Sequence, residues 1–219
     1  MKAHTDRDRL PGNKLGSREI PTRVITLTKP YEALIFDFDG TLVDSVPAHL
    51  KTWQETFADY GLQIEREAIR PFVGMSPWDI CAAVAAEYNL DLDVDTVTRE
   101  KSDRFLENLD RVNLIDPVLS IVRQHYQKIP MAVATGNLYF VAEKTMRKKQ
   151  IFHYFDVIVS SKDMEHGKPA PDVFLEAARR IGISPEKCCA FEDTEVGMLA
   201  AQNAGMDVVC VQDLIAEGS

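Results

Sequence analysis

Ala33-Leu34-Ile35-Phe36-Asp37-Phe38-Asp39-Gly40-Thr41 is the stretch on which the reading of this chain turns. Four consecutive apolar residues run into two acids and a glycine. An apolar run without alternation is what a strand buried on both faces requires, and such strands belong to parallel sheets covered by helices. Side chains two apart on a strand point the same way, so Asp37 and Asp39 are expected to face one side at the strand's end, with Gly40 permitting a sharp exit. In open parallel sheets, ligands bind beyond the carboxyl ends of the strands. Two acids without partners are costly there unless they are employed.

Outward from this strand the pattern repeats. Short apolar runs recur at residues 131–135, 157–159, 188–191 and 208–211. Helical patterns separate them. Leu138, Val141, Ala142 and Met146 share one face; a second pattern starts near Pro171 and stops at Gly182; a third runs from about Glu195 to Ala204, with Gly205 as its C-terminal stop. Strands alternating with helices imply βαβ units. Residues 46–112 break the alternation and hold no strand candidate. Leu50, Trp53, Phe57 and Ala58 fall on one helical face, Gly61 ends that helix, and Ile80, Val84 and Tyr88 fall on another. The expected class is α/β, a doubly wound parallel sheet with an inserted helical bundle. Its expected parts are a disordered N-terminal tail at 1–30, a core made of 31–45 plus 113–219, and a helical cap at 46–112. Within the tail, Val24-Ile25-Thr26-Leu27 offers at most one added edge strand.

Composition narrows the function. The 219 residues are 45% apolar and 27% charged, ordinary globular values that exclude wholesale disorder. At this length about 70% of the unfolded surface can be buried, so neither disulfides nor a structural metal is needed. The net charge is −9, whereas a nucleic-acid-binding face would be basic. Residues 1–30 carry seven Lys/Arg and three Asp/Glu, which leaves −13 for the rest. An acidic body suits a site that gathers carboxylates around a cation. Cys81, Cys188, Cys189 and Cys210 form no C-x-x-C, and the five histidines form no H-E-x-x-H, so neither a zinc nor a disulfide framework is expected. No apolar run approaches the roughly 18 residues that span a bilayer, and the N-terminus has no apolar signal core. The expectation is a cytoplasmic protein with no membrane or nucleic-acid partner.

Three further segments carry chemistry. Phe191-Glu192-Asp193-Thr194 again puts acids at the end of an apolar strand. Like charges about 5 Å apart repel by roughly 3 kcal/mol per pair at an effective dielectric of about 20. Four acids at neighbouring strand ends therefore call for a divalent cation, and all-oxygen ligands favour Mg²⁺. Ala134-Thr135-Gly136-Asn137 closes the run at 131–135; a hydroxyl, a glycine and the first amides of the next helix form an anion cradle. In Gly167-Lys168-Pro169-Ala170-Pro171-Asp172, two prolines stiffen a loop and hold Lys168 where a point charge meets phosphate oxygens.

In this order the four segments resemble the motifs of the haloacid dehalogenase superfamily, in its phosphatase branch. The resemblance covers residues 31–214 and implies a Rossmann-like core with a small α-helical cap. Gly167-Lys168-Pro169-Ala170-Pro171-Asp172, Phe191-Glu192-Asp193 and Ala200-Ala201-Gln202-Asn203-Ala204-Gly205-Met206 resemble the subgroup of β-phosphoglucomutases and small sugar phosphatases. The resemblance implies Asp37 as nucleophile forming an aspartyl-phosphate and Asp39 as general acid and base. It implies Mg²⁺ held by Asp37, the backbone carbonyl of Asp39 and Asp193, with Glu192 as a ligand or a support for one. Thr135 and Lys168, with amides near Gly136 and Asn137, would neutralise the transferring oxygens.

The cap bears on the substrate. His49 lies one turn before Trp53 on one helical face; the resemblance implies a His and a Trp at matching places, and a role for His49 near the leaving group is expected; Trp53 is read as core. The mutases carry a Lys before the glycine of Val73-Gly74-Met75-Ser76-Pro77-Trp78 and an Arg after its serine, to grip a second phosphate. Val73 and Pro77 stand there instead, which favours a substrate with one phosphate and water as acceptor. Trp78 is read as a wall of the leaving-group pocket, and Ser45 and Ser76 as hydrogen-bonding the substrate. The expected activity is a monomeric Mg²⁺-dependent phosphatase acting on a small phosphorylated metabolite of the fructose-1-phosphate or 6-phosphogluconate type. Alternatives are a β-phosphoglucomutase-like isomerase and, from another class, an inactive regulatory module that binds Mg²⁺ and phosphate. A phosphonatase would need a Schiff-base lysine in the cap, and Lys51 is the nearest one in sequence.

Overall fold

The computed structural model describes residue 27 and residues 29–218. The chain enters β1 (Ala33–Phe36), turns back through the two-residue β2 (Val43–Asp44), and leaves for four helices: α1 (Val46–Asp59), α2 (Arg66–Ile69), α3 (Pro77–Glu87) and α4 (Val94–Glu107). It returns through β3 (Asn113–Leu114) and α5 (Asp116–His125), then alternates regularly. β4 (Met131–Ala134), α6 (Tyr139–Lys148), β5 (Val157–Val159), α7 (Asp172–Ile181), β6 (Cys188–Glu192), α8 (Glu195–Asn203), β7 (Asp207–Cys210) and α9 (Val211–Gly218) follow. The five long strands form one parallel sheet in the order β5-β4-β1-β6-β7.

The apolar runs account for this sheet. Successive residues of a strand face opposite sides, so each run must satisfy two cores at once. Leu34, Phe36, Met131, Val133, Cys189 and Phe191 face one side, with α5, α6 and α9 packed over them. Ala33, Ile35, Ala132, Ala134, Cys188 and Ala190 face the other, where α7 and α8 lie. The second face is mostly alanine, which lets those helices close tightly onto the sheet. The first face is bulkier, and Phe36 stacks on Phe191 with ring centroids 4.6 Å apart. Burying a large side chain of this kind stabilises by about 1.5–3 kcal/mol.

The helices between Val46 and Glu107 build a third apolar cluster around Leu50, Trp53, Phe57, Ile69, Ile80 and Val84. The C-terminal turn of α4 belongs instead to the sheet side, through Phe105. β2 and β3 pair antiparallel, Val43 with Leu114 and Asp44 with Asn113, and so clamp together the two chain segments that join cap and core. This clamp was not legible in two-residue stretches. One other reading needs correction. The last strand is Asp207–Cys210, and Val211 already starts α9. Leu27 lies in no strand, while residues 24–26 and the first part of the expected tail fall outside the described residues. Among the described residues, no helix is long and apolar enough to cross a membrane.

β1 is the topological pivot. After it the chain builds β4 and β5 on one side, then β6 and β7 on the other. In such sheets the crevice at the reversal, beyond the strands' carboxyl ends, is where ligands bind. Asp37 follows β1, Thr135 follows β4, and Glu192 ends β6.

Candidate active site

Asp37 extends the ladder by one bond, its amide donating to the Phe191 carbonyl at 2.9 Å, and its side chain turns into the crevice. Lys168 Nζ donates to Asp37 Oδ1 and to Glu192 Oε1, both at 2.5 Å. Lys168 is only 8% exposed; a lysine that deep needs paired charges. Glu192 Oε2 accepts from the Asp193 and Thr194 amides and from the Thr194 hydroxyl, which fixes the turn into α8. Asp193 Oδ1 accepts from the Thr41 hydroxyl at 3.1 Å. Thr135 Oγ1 accepts from the Asn137 amide, so the cradle loop is closed on itself.

Asp39 has a separate set of partners. Ser45 Oγ donates to its Oδ1 at 2.5 Å, His49 Nε2 donates to the same oxygen at 2.9 Å, and Asn137 Nδ2 donates to Oδ2 at 2.9 Å. Lys101 Nζ lies 2.6 Å from His49 Nδ1. An ammonium only donates, so Lys101 leaves Nδ1 as acceptor and puts the imidazole proton on Nε2, toward Asp39. The His49 ring stacks on Phe105 at 3.8 Å between centroids, and Lys101 lies 5.1 Å over Trp53 and 5.5 Å over Phe105. The chain Asp39–His49–Lys101 thus runs from the core into the cap.

These environments set the charges. Burial, then the charges of Glu192 and Asp193, push the Asp37 carboxyl well above the usual range, against the pull of Lys168. Burial and Glu192 push Asp193 up to about 6, with the Thr41 hydroxyl opposing. Burial also acts to raise Asp39, but His49, Ser45 and Asn137 more than offset it and hold that carboxyl below the carboxylate range. Burial, then the charge of Lys101, lowers His49. Burial pulls Lys101 down to about 7 despite Asp39. Burial acts to lower Lys168 too, yet its two carboxylate partners raise it.

Asp37, Glu192 and Asp193 bring one carboxylate oxygen each within 4.8 Å of one another. Two glycines make the grouping possible. A β-carbon on Gly40, whose φ is +93°, would collide with the Asp193 carboxylate, and one on Gly197 would collide with Glu192. Hard oxygen donors converging within this reach fit a divalent cation such as Mg²⁺.

The expectation of four clustered acids is corrected here. β1 ends at Phe36, so Asp37 and Asp39 follow the strand, and only three acids converge while Asp39 faces His49. Asp37, Asp39, Thr135, Gly136, Asn137, Glu192 and His49 all line one cavity of about 630 Å³, measured to include its open mouth. Three cap expectations are placed otherwise. Ser45 is fully buried behind Asp39 and orients that carboxylate. Ser76 caps α3, accepting from the Asp79 amide and donating to the Asp79 carboxylate. Trp78 donates to Asp95 at 2.7 Å, under the Lys162 ammonium, away from the cavity lining. Trp53, read as core, is both 1% exposed and part of the lining. Lys51 pairs with Glu55 on the surface. The cap lysine at the site is Lys101, which sequence reading missed. Its signal was present: Val97, Lys101 and Phe105 recur at intervals of four along the buried stripe of α4.

Comparison with known proteins agrees with this geometry. Residues 34–211 match the family described as haloacid dehalogenase-like hydrolase. Fructose-1-phosphate phosphatase YqaB of Escherichia coli (strain K12) is 39% identical over 183 residues, 83% of this chain and 97% of that protein. Among solved structures, CbbY from Rhodobacter sphaeroides in complex with phosphate superposes with a TM-score of 0.76 at 26% identity, over 82% of this chain and 85% of that one. β-Phosphoglucomutase from Clostridium difficile has the same fold, with a TM-score of 0.76 at 21% identity over 82% and 84% of the two chains. The fold and site define a hydrolase built on a Rossmann-like sheet. The chain belongs to the haloacid dehalogenase-like hydrolase family.

Proposed function

We propose that this chain is a Mg²⁺-dependent phosphoric monoester hydrolase that acts on a small sugar phosphate, of the fructose-1-phosphate or 6-phosphogluconate type. One observation carries the reading. Asp37, Asp39, Thr135, Lys168 and Asp193, drawn from distant parts of the chain, gather at the carboxyl ends of neighbouring strands beneath a helical cap. The names of relatives support it, YqaB among them.

An Asp37 carboxylate oxygen attacks phosphorus, and the bond to the ester oxygen breaks. Asp39 gives its proton to the departing alkoxide. A phosphoryl dianion beside Asp39 opposes its ionisation, which favours the protonated form in the substrate complex. Asp39, now ionised and held by Ser45, His49 and Asn137, takes a proton from water. The hydroxide attacks the aspartyl-phosphate, releasing phosphate and restoring Asp37. Thr135 and Lys168 hold the transferring oxygens in line, and such positioning is most of phosphoryl-transfer catalysis. Held by Asp37, Asp193 and the Asp39 carbonyl, with Glu192 in support, Mg²⁺ would neutralise phosphoryl charge. His49 orients Asp39 toward the leaving oxygen.

The test is phosphate release from a panel of phosphorylated metabolites with Mg²⁺ and with EDTA, using wild type and Asp37→Asn. Release is expected only from wild type with Mg²⁺, and His49→Ala should lower kcat/KM well beyond twofold. Turnover that survives Asp37→Asn in a clean preparation ends the reading. Formation of an isomeric sugar phosphate faster than free phosphate would select the mutase instead.

A further inference from the structure

Asn137 joins the cradle loop to the Asp39 carboxylate, and each of its polar groups is engaged. Its amide donates to Thr135 Oγ1 at 3.0 Å, its side-chain oxygen accepts from the Leu138 amide at 2.8 Å, and its side-chain nitrogen donates to Asp39 Oδ2 at 2.9 Å. The fourth group, the backbone carbonyl, stands outside the ladder of α6, where Val141 and Ala142 both donate to Leu138. It accepts instead from Ser161, in the loop after β5, through that residue's amide and its hydroxyl, each at 3.0 Å. Resting on the phosphatase reading, we infer that Ser161 is a positioning residue for proton transfer: it holds Asn137 so that the Asn137 side chain aims Asp39 at the leaving oxygen.

The two oxygens of Asp39 are not equivalent. Oδ1 accepts from Ser45 and from His49, which fills its two lone-pair sites, whereas Oδ2 accepts only from Asn137 among the described residues. The transferable proton therefore belongs on Oδ2, and the bond from Asn137 fixes where the remaining site of that oxygen points. A misplacement of about 1 Å can cost on the order of 10² in rate. The loop that bears on Asn137 is itself held. Ser160 and Asp163 close a capping box, with the Ser160 amide and hydroxyl both donating to Asp163 Oδ2. Arg180 of α7 donates to Asp163 Oδ1 at 2.5 Å and to the Ile158 carbonyl at 3.3 Å. Ser161 thus stands on a loop tied to both α7 and β5, and its hydroxyl supplies the second of two bonds to one carbonyl.

The test is Ser161→Ala with Mg²⁺ on two esters, the fastest sugar phosphate of the panel and p-nitrophenyl phosphate. The sugar alkoxide needs a proton to depart. The nitrophenolate departs without one, so its kcat/KM is nearly blind to the aim of Asp39. Loss of the hydroxyl should lower kcat/KM for the sugar phosphate by about tenfold, part of what acid–base catalysis contributes, and for p-nitrophenyl phosphate by less than about twofold. Ser161→Thr keeps a hydroxyl and should restore the wild-type value. In an Asn137→Ala background the link is gone, so Ser161→Ala should change kcat/KM for the sugar phosphate by less than about twofold. Three results overturn the inference and leave the phosphatase reading intact: unchanged or equal kinetics on the two esters, a loss that Ser161→Thr does not restore, or an undiminished loss in the Asn137→Ala background. If Ser161→Ala fails to fold, Ser161→Cys carries the same comparison, because its thiol keeps the volume and is a weak donor. Absence of release from every ester by the wild type overturns both.

Discussion

The two walls of the cavity obey opposite rules. On the core side the functional polar groups are held by partners: Lys168 with two carboxylates, Glu192 with two amides and a hydroxyl, Asp39 with three donors. On the cap side the lining is mostly apolar apart from His49 and Lys101, and its positions are set by how helices pack among themselves. The contrast separates two tasks. Charge transfer needs particular atoms within about 3 Å of each other, so it tolerates few residue types. Leaving-group choice needs only shape and the exclusion of water, which many apolar residues supply. Core-side substitutions should therefore act on turnover, and cap-side substitutions on substrate preference.

Lys168→Met attacks the contrast where it is strongest. Removing one partner of a buried ion pair leaves uncompensated charge and costs about 3–5 kcal/mol. Here Asp37 and Glu192 would both lose their cation. The expected result is a fall in kcat on the order of 10³ or more, with a lower melting temperature in EDTA that Mg²⁺ partly restores. Equal melting temperatures for variant and wild type in EDTA would show that the buried carboxylates are not held by this lysine.

Lys101→Met sharpens it, because Lys101 reaches the chemistry of the core from the cap through His49. Without it His49 loses the partner that sets its proton toward Asp39, and kcat/KM should fall by about 10–100-fold, as for the loss of a group supporting general acid–base catalysis. Stability supplies an independent readout. In the fold Lys101 titrates at about 7, and in the unfolded chain at about 10.4. Between these values the unfolded chain holds a proton that the folded chain has lost, so wild-type stability rises with pH through that window. Below about pH 7 the cost of burying the ammonium is present in full. The melting temperature of Lys101→Met relative to wild type should therefore be highest near pH 6 and decline toward pH 9. A difference that is flat across this range would mean that Lys101 stays charged.

Gly197→Ala has a smaller effect. An alanine inside a helix ordinarily gains about 1 kcal/mol over glycine. At this position the added methyl would meet the Glu192 carboxylate, and forced overpacking costs about 1–3 kcal/mol. The net expectation is lower stability and a higher Mg²⁺ concentration for half-maximal rate, measured by thermal melting and by Mg²⁺ titration. A stabilised variant with an unchanged Mg²⁺ requirement would show that Glu192 does not hold the acid cluster in place.

The same contrast decides how much could be read from the sequence. The sheet was legible because double burial leaves unbroken apolar runs, and its strands fall within a residue or two of those runs. Asp37, Thr135, Lys168 and Glu192 sit at strand ends or in a Pro-stiffened loop, where local sequence dictates position. Lys101 was missed for the converse reason. Its place depends on the packing of α4 against α1, a tertiary fact, and a lysine on a helix resembles any solvated lysine until its neighbours at four-residue spacing are seen to be buried. Ser45 was legible as a polar residue near the site, but the turn at β2 that folds it behind Asp39 spans too few residues to signal itself.

Trp78→Phe is the finest test, because sequence and structure place that ring differently. As a wall of the leaving-group pocket, its loss would alter kcat/KM. In the structure its indole N–H donates to Asp95 within the cap, and the Lys162 ammonium lies 5.2 Å from the ring centroid, so it ties α3 to α4 and to the loop after β5. Phenylalanine keeps a ring for the cation and removes the donor. One hydrogen bond contributes about 0.5–1.5 kcal/mol net, and at this exposed site the lower end applies. The variant should melt slightly lower and keep kcat/KM within twofold for neutral and charged esters alike. If activity fell more than tenfold at an unchanged melting temperature, Trp78 would be acting on the substrate, and the cap side would contain a recognition element beyond the residues that line the cavity.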